Sequence, residues 1–133
     1  MNFEYPVLIR ESHLDTFGHV NNATYLALYE EARWDLVTKN GYGLKEVHRL
    51  GQGPIILEAN IKFMAELRLR EKIRITCEMI EYKGKIGKLK QQMLKDDGKV
   101  ASELIMVFGL FDLKERKLIE PTDAWKKALG LPG

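Results

Sequence analysis

The chain has 133 residues, of which 21 are basic and 19 acidic, giving a formal charge of +2. This size suits one domain spanning residues 1–133, with enough core to fold without disulfide or metal support. The near balance of charge excludes a general attraction to nucleic acid, and no apolar run approaches the roughly 20 residues needed to cross a bilayer.

The opening Met1-Asn2-Phe3-Glu4-Tyr5-Pro6 has neither a basic leader nor an apolar segment ahead of a small-residue cleavage site, so a cytoplasmic protein is expected. Phe3 to Arg10 reads as a first strand, with Tyr5, Val7 and Ile9 alternating imperfectly with their neighbours. The polar stretch from Glu11 to His19 has neither period and is expected to be a loop. From Asn21-Asn22 onward the apolar residues Tyr25, Leu28, Tyr29, Ala32 and Leu36 recur every three or four positions. That spacing predicts a helix to about Lys39, capped by Asn21 or Asn22 and stopped by Asn40-Gly41.

Tyr42 to Gly53 reads as a connection with one helical turn around Leu44 to Leu50. Strands follow at Ile55 to Ala65, Lys72 to Tyr82, Gly87 to Lys95 and Val100 to Asp112. In the first of these, Leu57, Ala59, Ile61 and Phe63 share one side. The Asp97-Gly98 pair favours the positive φ angles of a tight hairpin, and Lys83-Gly84-Lys85 makes the preceding turn. A short helix after Pro121 is capped by Thr122 or Asp123 and docks through Trp125, Ala128 and Leu129. Five strands and one long helix predict an α+β domain, an antiparallel sheet with the helix on one face. The lone Cys77 falls in a strand and reads as a small packed hydrophobe.

The chemistry-bearing stretch runs from Asp15 to Leu26. It places a carboxylate at the end of a loop that enters a helix, whose first N–H groups lack internal partners and can polarise a carbonyl. Gly18 permits close backbone approach to a ligand, and Tyr25 sits one turn into the helix.

Asp15, Gly18, His19, Val20, Asn21, Asn22 and Tyr25 form an Asp-x-x-Gly-His-Val-Asn-Asn-x-x-Tyr pattern. It resembles the hot-dog-fold acyl thioesterases of the 4-hydroxybenzoyl-CoA thioesterase type, especially bacterial long-chain acyl-CoA thioesterases. Its His-Val-Asn-Asn portion is also similar to plant acyl-ACP thioesterases. The resemblance implies a five-stranded curled sheet wrapped around one long helix, and hydrolysis of an acyl-CoA, with acyl-ACP as the alternative carrier. It implies that Asp15 is general base or nucleophile and that the backbone N–H of Asn22 polarises the thioester carbonyl. Where many relatives have a proline and a glycine-aspartate turn, this chain has Ala65 to Lys72, so the rim of the site is expected to differ there. A thiolate leaving group, of parent pKa about 8.5, departs without a strong general acid, so one base and one oxyanion clamp suffice.

The other candidates admit two readings each. His19 orients substrate or hydrogen-bonds a loop carbonyl; Asn21 caps the helix or touches substrate. Glu58 alternates with Asn60 and Lys62 on a solvated strand face, unless pairing across a dimer brings it to a neighbouring site. Lys83, Lys85 and Lys88 form a solvated hairpin or hold coenzyme A phosphates as point charges. Three dispersed histidines and one cysteine predict no metal site. No cofactor is expected beyond the coenzyme A carried by the substrate. The hot-dog resemblance implies a homodimer or homotetramer, since its members pair sheets edge to edge. A hydratase on the same fold and a non-catalytic acyl-thioester-binding protein are the competing functions.

Overall fold

The structure is a computed structural model that describes residues 3–132. Strand β1 (Glu4–Leu8) leads through a 3-10 turn at Glu11–His13 to the long helix α1 (Asn22–Lys39). Helix α2 (Leu44–Leu50) and strand β2 (Gln52–Phe63) follow. Then come β3 (Lys72–Thr76), β4 (Glu78–Lys83), β5 (Ile86–Lys95), β6 (Val100–Asp112), β7 (Lys117–Ile119) and α3 (Asp123–Ala128).

All pairing is antiparallel, in the order β1-β3-β5-β6-β2. The expected Lys72 to Tyr82 strand is interrupted at Cys77, giving β3 and β4, which both pair with β5. Strand β7, absent from the sequence reading, pairs with Leu110 to Asp112 of β6. Because β2 occupies the other edge of β6 there, β7 continues the lane of β5. Seven strands thus fill five lanes, which reconciles the expected five-stranded sheet with the observed one.

The helix boundaries follow from their caps. The Asn21 side chain accepts from the Ala23 N–H at 2.8 Å, and Thr122 likewise caps α3 by accepting from Trp125. The predicted apolar side of α1 is the buried one, with Val37 added. It packs against inward residues of β5 and β6 such as Leu89, Met93, Leu104 and Phe108. Burying side chains of this size contributes about 1.5–3 kcal/mol each, so this face fixes the helix on the sheet. Gln91 and Ser102 are the two fully buried polar residues among the described ones, and both are matched to α1. Ser102 Oγ accepts from the Tyr29 hydroxyl at 2.9 Å, and Gln91 Nε2 donates to the Tyr29 carbonyl at 3.1 Å.

Two local expectations change. In the Asp96-Asp97-Gly98 turn only Gly98 takes a positive φ, of 85°, while Asp97 Oδ1 accepts from the Lys99 N–H at 2.9 Å. An aspartate acceptor therefore does what a second positive φ would do in the shorter turn. In β2 the register slips between Ile56 and Glu58, so Leu57 is a bulge residue outside the strict alternation. Ala59, Ile61 and Phe63 do share the helix-side face, opposite inward residues of β6.

Candidate active site

The loop before α1 is pinned at its base. Leu14 and Val20 form an isolated antiparallel bridge, and the Asp15 N–H donates to the His19 carbonyl at 2.8 Å. Asp15 Oδ1 then accepts from the N–H groups of Phe17 at 2.8 Å and His19 at 3.3 Å. Gly18 has a φ of 81°, a value that a residue with a side chain adopts only under strain, which lets the chain reverse inside this short turn. The carboxylate is held by one oxygen, and no hydrogen bond among the described residues occupies the other.

At the helix start, the Asn22 N–H lies in the first turn, where no intrahelical acceptor exists. Asn22 borders an open groove between the start of α1 and the end of β2, lined also by His19, Tyr25, Phe63, Met64 and Glu66. Tyr25 and Phe63 meet edge to face, with ring centroids 4.9 Å apart, forming the apolar floor. Burial first, and the charges of Glu66 and Glu71 second, push the Tyr25 phenol above its ordinary 10.0. It is therefore a neutral hydroxyl at physiological pH.

The groove is crossed by a pair absent from the sequence reading. His19 Nε2 lies 2.5 Å from Glu66 Oε1, with both side chains about half exposed. Glu66 sits in the Ala65 to Lys72 stretch, where a rim unlike that of relatives was expected, and it contributes an acid opposite the motif histidine. Nothing in the linear order paired it with His19.

The sequence candidates fall into two groups. Asp15, Gly18, His19, Asn21, Asn22 and Tyr25 gather around the loop and helix start, although Asp15 stands beside His19 and is not itself in the groove lining. Glu58 lies on the outer face of β2, opposite Val107, away from this groove. Lys83, Lys85 and Lys88 lie at the β4–β5 hairpin, where Lys83 pairs with Glu81 at 3.2 Å. Among the described residues no cluster of three or more metal-ligating side chains forms.

Further along α1 lies an apolar cavity of about 90 Å³ between the helix, the start of β2 and α3. Trp34, Ile56, Met106, Phe108 and Trp125 are among its walls, with Cys77 at one side. Burial pushes the Cys77 thiol from its ordinary 9.0 up to about 12, so it is a neutral packed group. Arg33 also lines this cavity, although its place four residues after Tyr29, on the packed side of α1, was not picked out from the sequence.

One long helix against a curled antiparallel sheet, with a loop carboxylate beside the helix start, defines a hot-dog thioesterase architecture. The model of the thioesterase-like superfamily matches residues 9–129, and the chain belongs to that family of thioester hydrolases. It is 32% identical over 115 residues to the long-chain acyl-CoA thioesterase FadM of Escherichia coli (strain K12), covering 85% of this chain and 86% of that protein. It is 38% identical over 65 residues to the chloroplastic acyl-acyl carrier protein thioesterase ATL2 of Arabidopsis thaliana, over 49% of this chain and 35% of that protein. Among solved structures, the probable thioesterase YbaW of Escherichia coli is similar with a TM-score of 0.83 and 28% identity, over 95% of both chains. No helix among the described residues is long and apolar enough to cross a membrane.

Proposed function

We propose that this protein hydrolyses acyl-CoA thioesters to the free acid and coenzyme A, with Asp15 as the reacting carboxylate and the Asn22 N–H as the oxyanion donor. The observation that carries this reading is the loop closed by the Leu14–Val20 bridge, which holds a half-free carboxylate beside an unpartnered helix start. The extended similarity to FadM, over most of both chains, supports acyl-CoA over acyl-ACP as the carrier.

Two routes use the same groups. As base, Asp15 takes a proton from water as its oxygen bonds to the carbonyl carbon; the oxyanion rests on the Asn22 N–H, then collapses and expels the thiolate. As nucleophile, the carboxylate displaces the thiolate to give a mixed anhydride, which water then cleaves. His19, held across the groove by Glu66, orients the acyl group.

Asp15→Asn keeps an Oδ1 acceptor for the Phe17 and His19 N–H groups, so the loop stays folded. The expected outcome is a melting temperature close to the parent and a turnover at least about 100-fold lower, measured by release of free thiol. The His19–Glu66 contact favours one second reading, in which His19, polarised by Glu66, is the base. In that case Glu66→Gln loses more turnover than Asp15→Asn, which reverses the order expected here.

The working form is a homo-oligomer built on β2. This strand forms one edge of the sheet, 12 residues long, and exposes Ile56, Leu57, Phe63 and the adjoining Met64. An edge this long and apolar is a template for pairing, and a second copy satisfies it symmetrically. Light scattering is expected to give at least twice the chain mass; a fully active monomer removes this part of the reading.

A further inference from the structure

Two tyrosines one turn apart on the buried side of α1 are treated differently by the fold. Tyr29 is wholly buried, and its hydroxyl donates to Ser102 Oγ at 2.9 Å. Tyr42, also buried, donates to the Gln52 carbonyl at 3.1 Å. Tyr25 is only 5% exposed, yet its hydroxyl bonds to no described residue. That hydroxyl is not sealed in either: the side-chain polar atoms shut off from solvent without a partner lie elsewhere, at Asp35, Tyr82 and Trp125. What stays accessible of Tyr25 lines the groove between the start of α1 and the end of β2. A buried tyrosine usually gives its O–H a partner within the protein; here the O–H is presented to the groove.

The ring that carries it is fixed by burial and by edge-to-face contact with Phe63, at 4.9 Å between centroids. Residues three apart are neighbours on a helix surface, about 5–6 Å between Cβ atoms, and helical side chains lean toward the N-terminus. The Tyr25 phenol therefore leans back over the first turn of α1, beside Asn22, which borders the same groove. Two carboxylates act on the phenol, and both are engaged with other groups: Glu66 with His19, and Glu71 with Lys95 at 3.2 Å. Together with burial they keep it protonated, so it serves as a donor.

An oxyanion accepts more than one hydrogen bond, and in an open groove the Asn22 N–H alone leaves the developing charge shared with water. We infer that the Tyr25 hydroxyl is a catalytic residue, a second donor that forms with the Asn22 N–H a two-point clamp on the thioester carbonyl oxygen; this rests on the thioesterase proposal above and deepens it. The phenol keeps its proton throughout and acts by position. Its hydrogen bond strengthens as the carbonyl oxygen gains charge, so its effect falls on turnover more than on substrate binding.

Tyr25→Phe keeps the ring and its contact with Phe63 and removes only the hydroxyl. Turnover of the acyl-CoA that the parent uses best is expected to fall about 100-fold, the lower end for loss of one oxyanion donor, with KM changed less than about threefold. The second measurement uses a ketone analogue of acyl-CoA, with a methylene between sulfur and carbonyl and carbon-13 at the carbonyl, which binds without being hydrolysed. Infrared spectroscopy reads the hydrogen bonding of that carbonyl, and its band is expected at lower wavenumber in the parent than in Tyr25→Phe. Turnover of Tyr25→Phe within about threefold of the parent, or a band at the same position in both, overturns the inference. So does a raised KM with unchanged turnover, the mark of a hydroxyl that binds substrate and transition state alike. If the parent hydrolyses no acyl-CoA, the thioesterase proposal fails, and the carbonyl band still decides whether Tyr25 holds the acyl carbonyl. If Tyr25→Phe does not fold, 3-fluorotyrosine at position 25 takes its place: the stronger donor is expected to move the band further down, and an unmoved band overturns the inference.

Discussion

At its N-terminal end α1 meets half-exposed polar groups: the Asp15 carboxylate in its turn, the His19–Glu66 pair and a groove open to solvent. At its other end the same helix is shut in by aromatic packing. Trp125 is 2% exposed and stacks edge to face on Tyr42 and Phe108, at centroid distances of 5.1 and 6.3 Å. The contrast is one of solvent access and polarity along one rod. The proposed cleavage of a thioester needs water and a place for the departing thiolate, which the loop-built, open end offers. The other end is mostly apolar and core-like, with Glu30 and Arg33 the charged residues of its cavity lining.

The largest effect that probes this contrast is at Cys77, on the closed side. A thiol moved from 9.0 to about 12 holds roughly 1,000-fold less thiolate at pH 8 than an unperturbed one. Alkylation by iodoacetamide at pH 8 is therefore expected to be at least about 100-fold slower in the native protein than in urea. The sign for stability follows from the same shift. A folded pKa above the unfolded one means that the stabilisation from keeping this thiol neutral is complete below pH 9.0 and is lost as pH rises through about 12. Native and unfolded rates that agree would show the cavity end to be open as well, and the contrast would collapse.

Much of this architecture was legible because periodicity reports which side of an element is buried. The apolar positions of α1, the docking face of α3 and the span Val100–Asp112 came directly from spacing. Features that depend on pairing were not legible. The break at Cys77 and the bulge at Leu57 are register events between strands, and one strand's alternation does not record its partner's offset. Strand β7 is three residues long, too short for any period to show. The site divides the same way. Asp15, His19 and Asn22 are neighbours in the chain and formed a motif. Glu66 reaches His19 across 47 positions and Arg33 reaches Gln91 across 58, and both links exist only after folding.

The smallest effect concerns the lysine hairpin, and it asks whether the two ends communicate between copies. Strand β5 runs from the hairpin to Lys95, whose Nζ donates to the Glu66 carbonyl at 2.7 Å beside the groove. Eight residues separate Gly87 from Lys95, about 27 Å at 3.4 Å per residue, so Lys83, Lys85 and Lys88 do not reach the groove of their own chain. Antiparallel pairing of two β2 strands about a two-fold axis changes this. It sets the Pro54 end of one copy beside the Phe63 end of the other, and the hairpin shares the Pro54 end because Gly87 and Ile56 both pair with Phe108. The lysines of one copy then stand at the mouth of the other's groove, where coenzyme A phosphates would lie. Exposed charge contacts contribute about 0.2–1 kcal/mol each. Replacing all three lysines with Gln is therefore expected to raise KM for acyl-CoA about 3- to 10-fold at low salt, with kcat little changed. The difference is expected to fade near 1 M salt, where the screening length drops to about 3 Å. An unchanged KM at low salt would confine each groove to its own chain and leave the phosphates to another cation such as Arg68, which lies 3.9 Å from Glu66 of the groove lining.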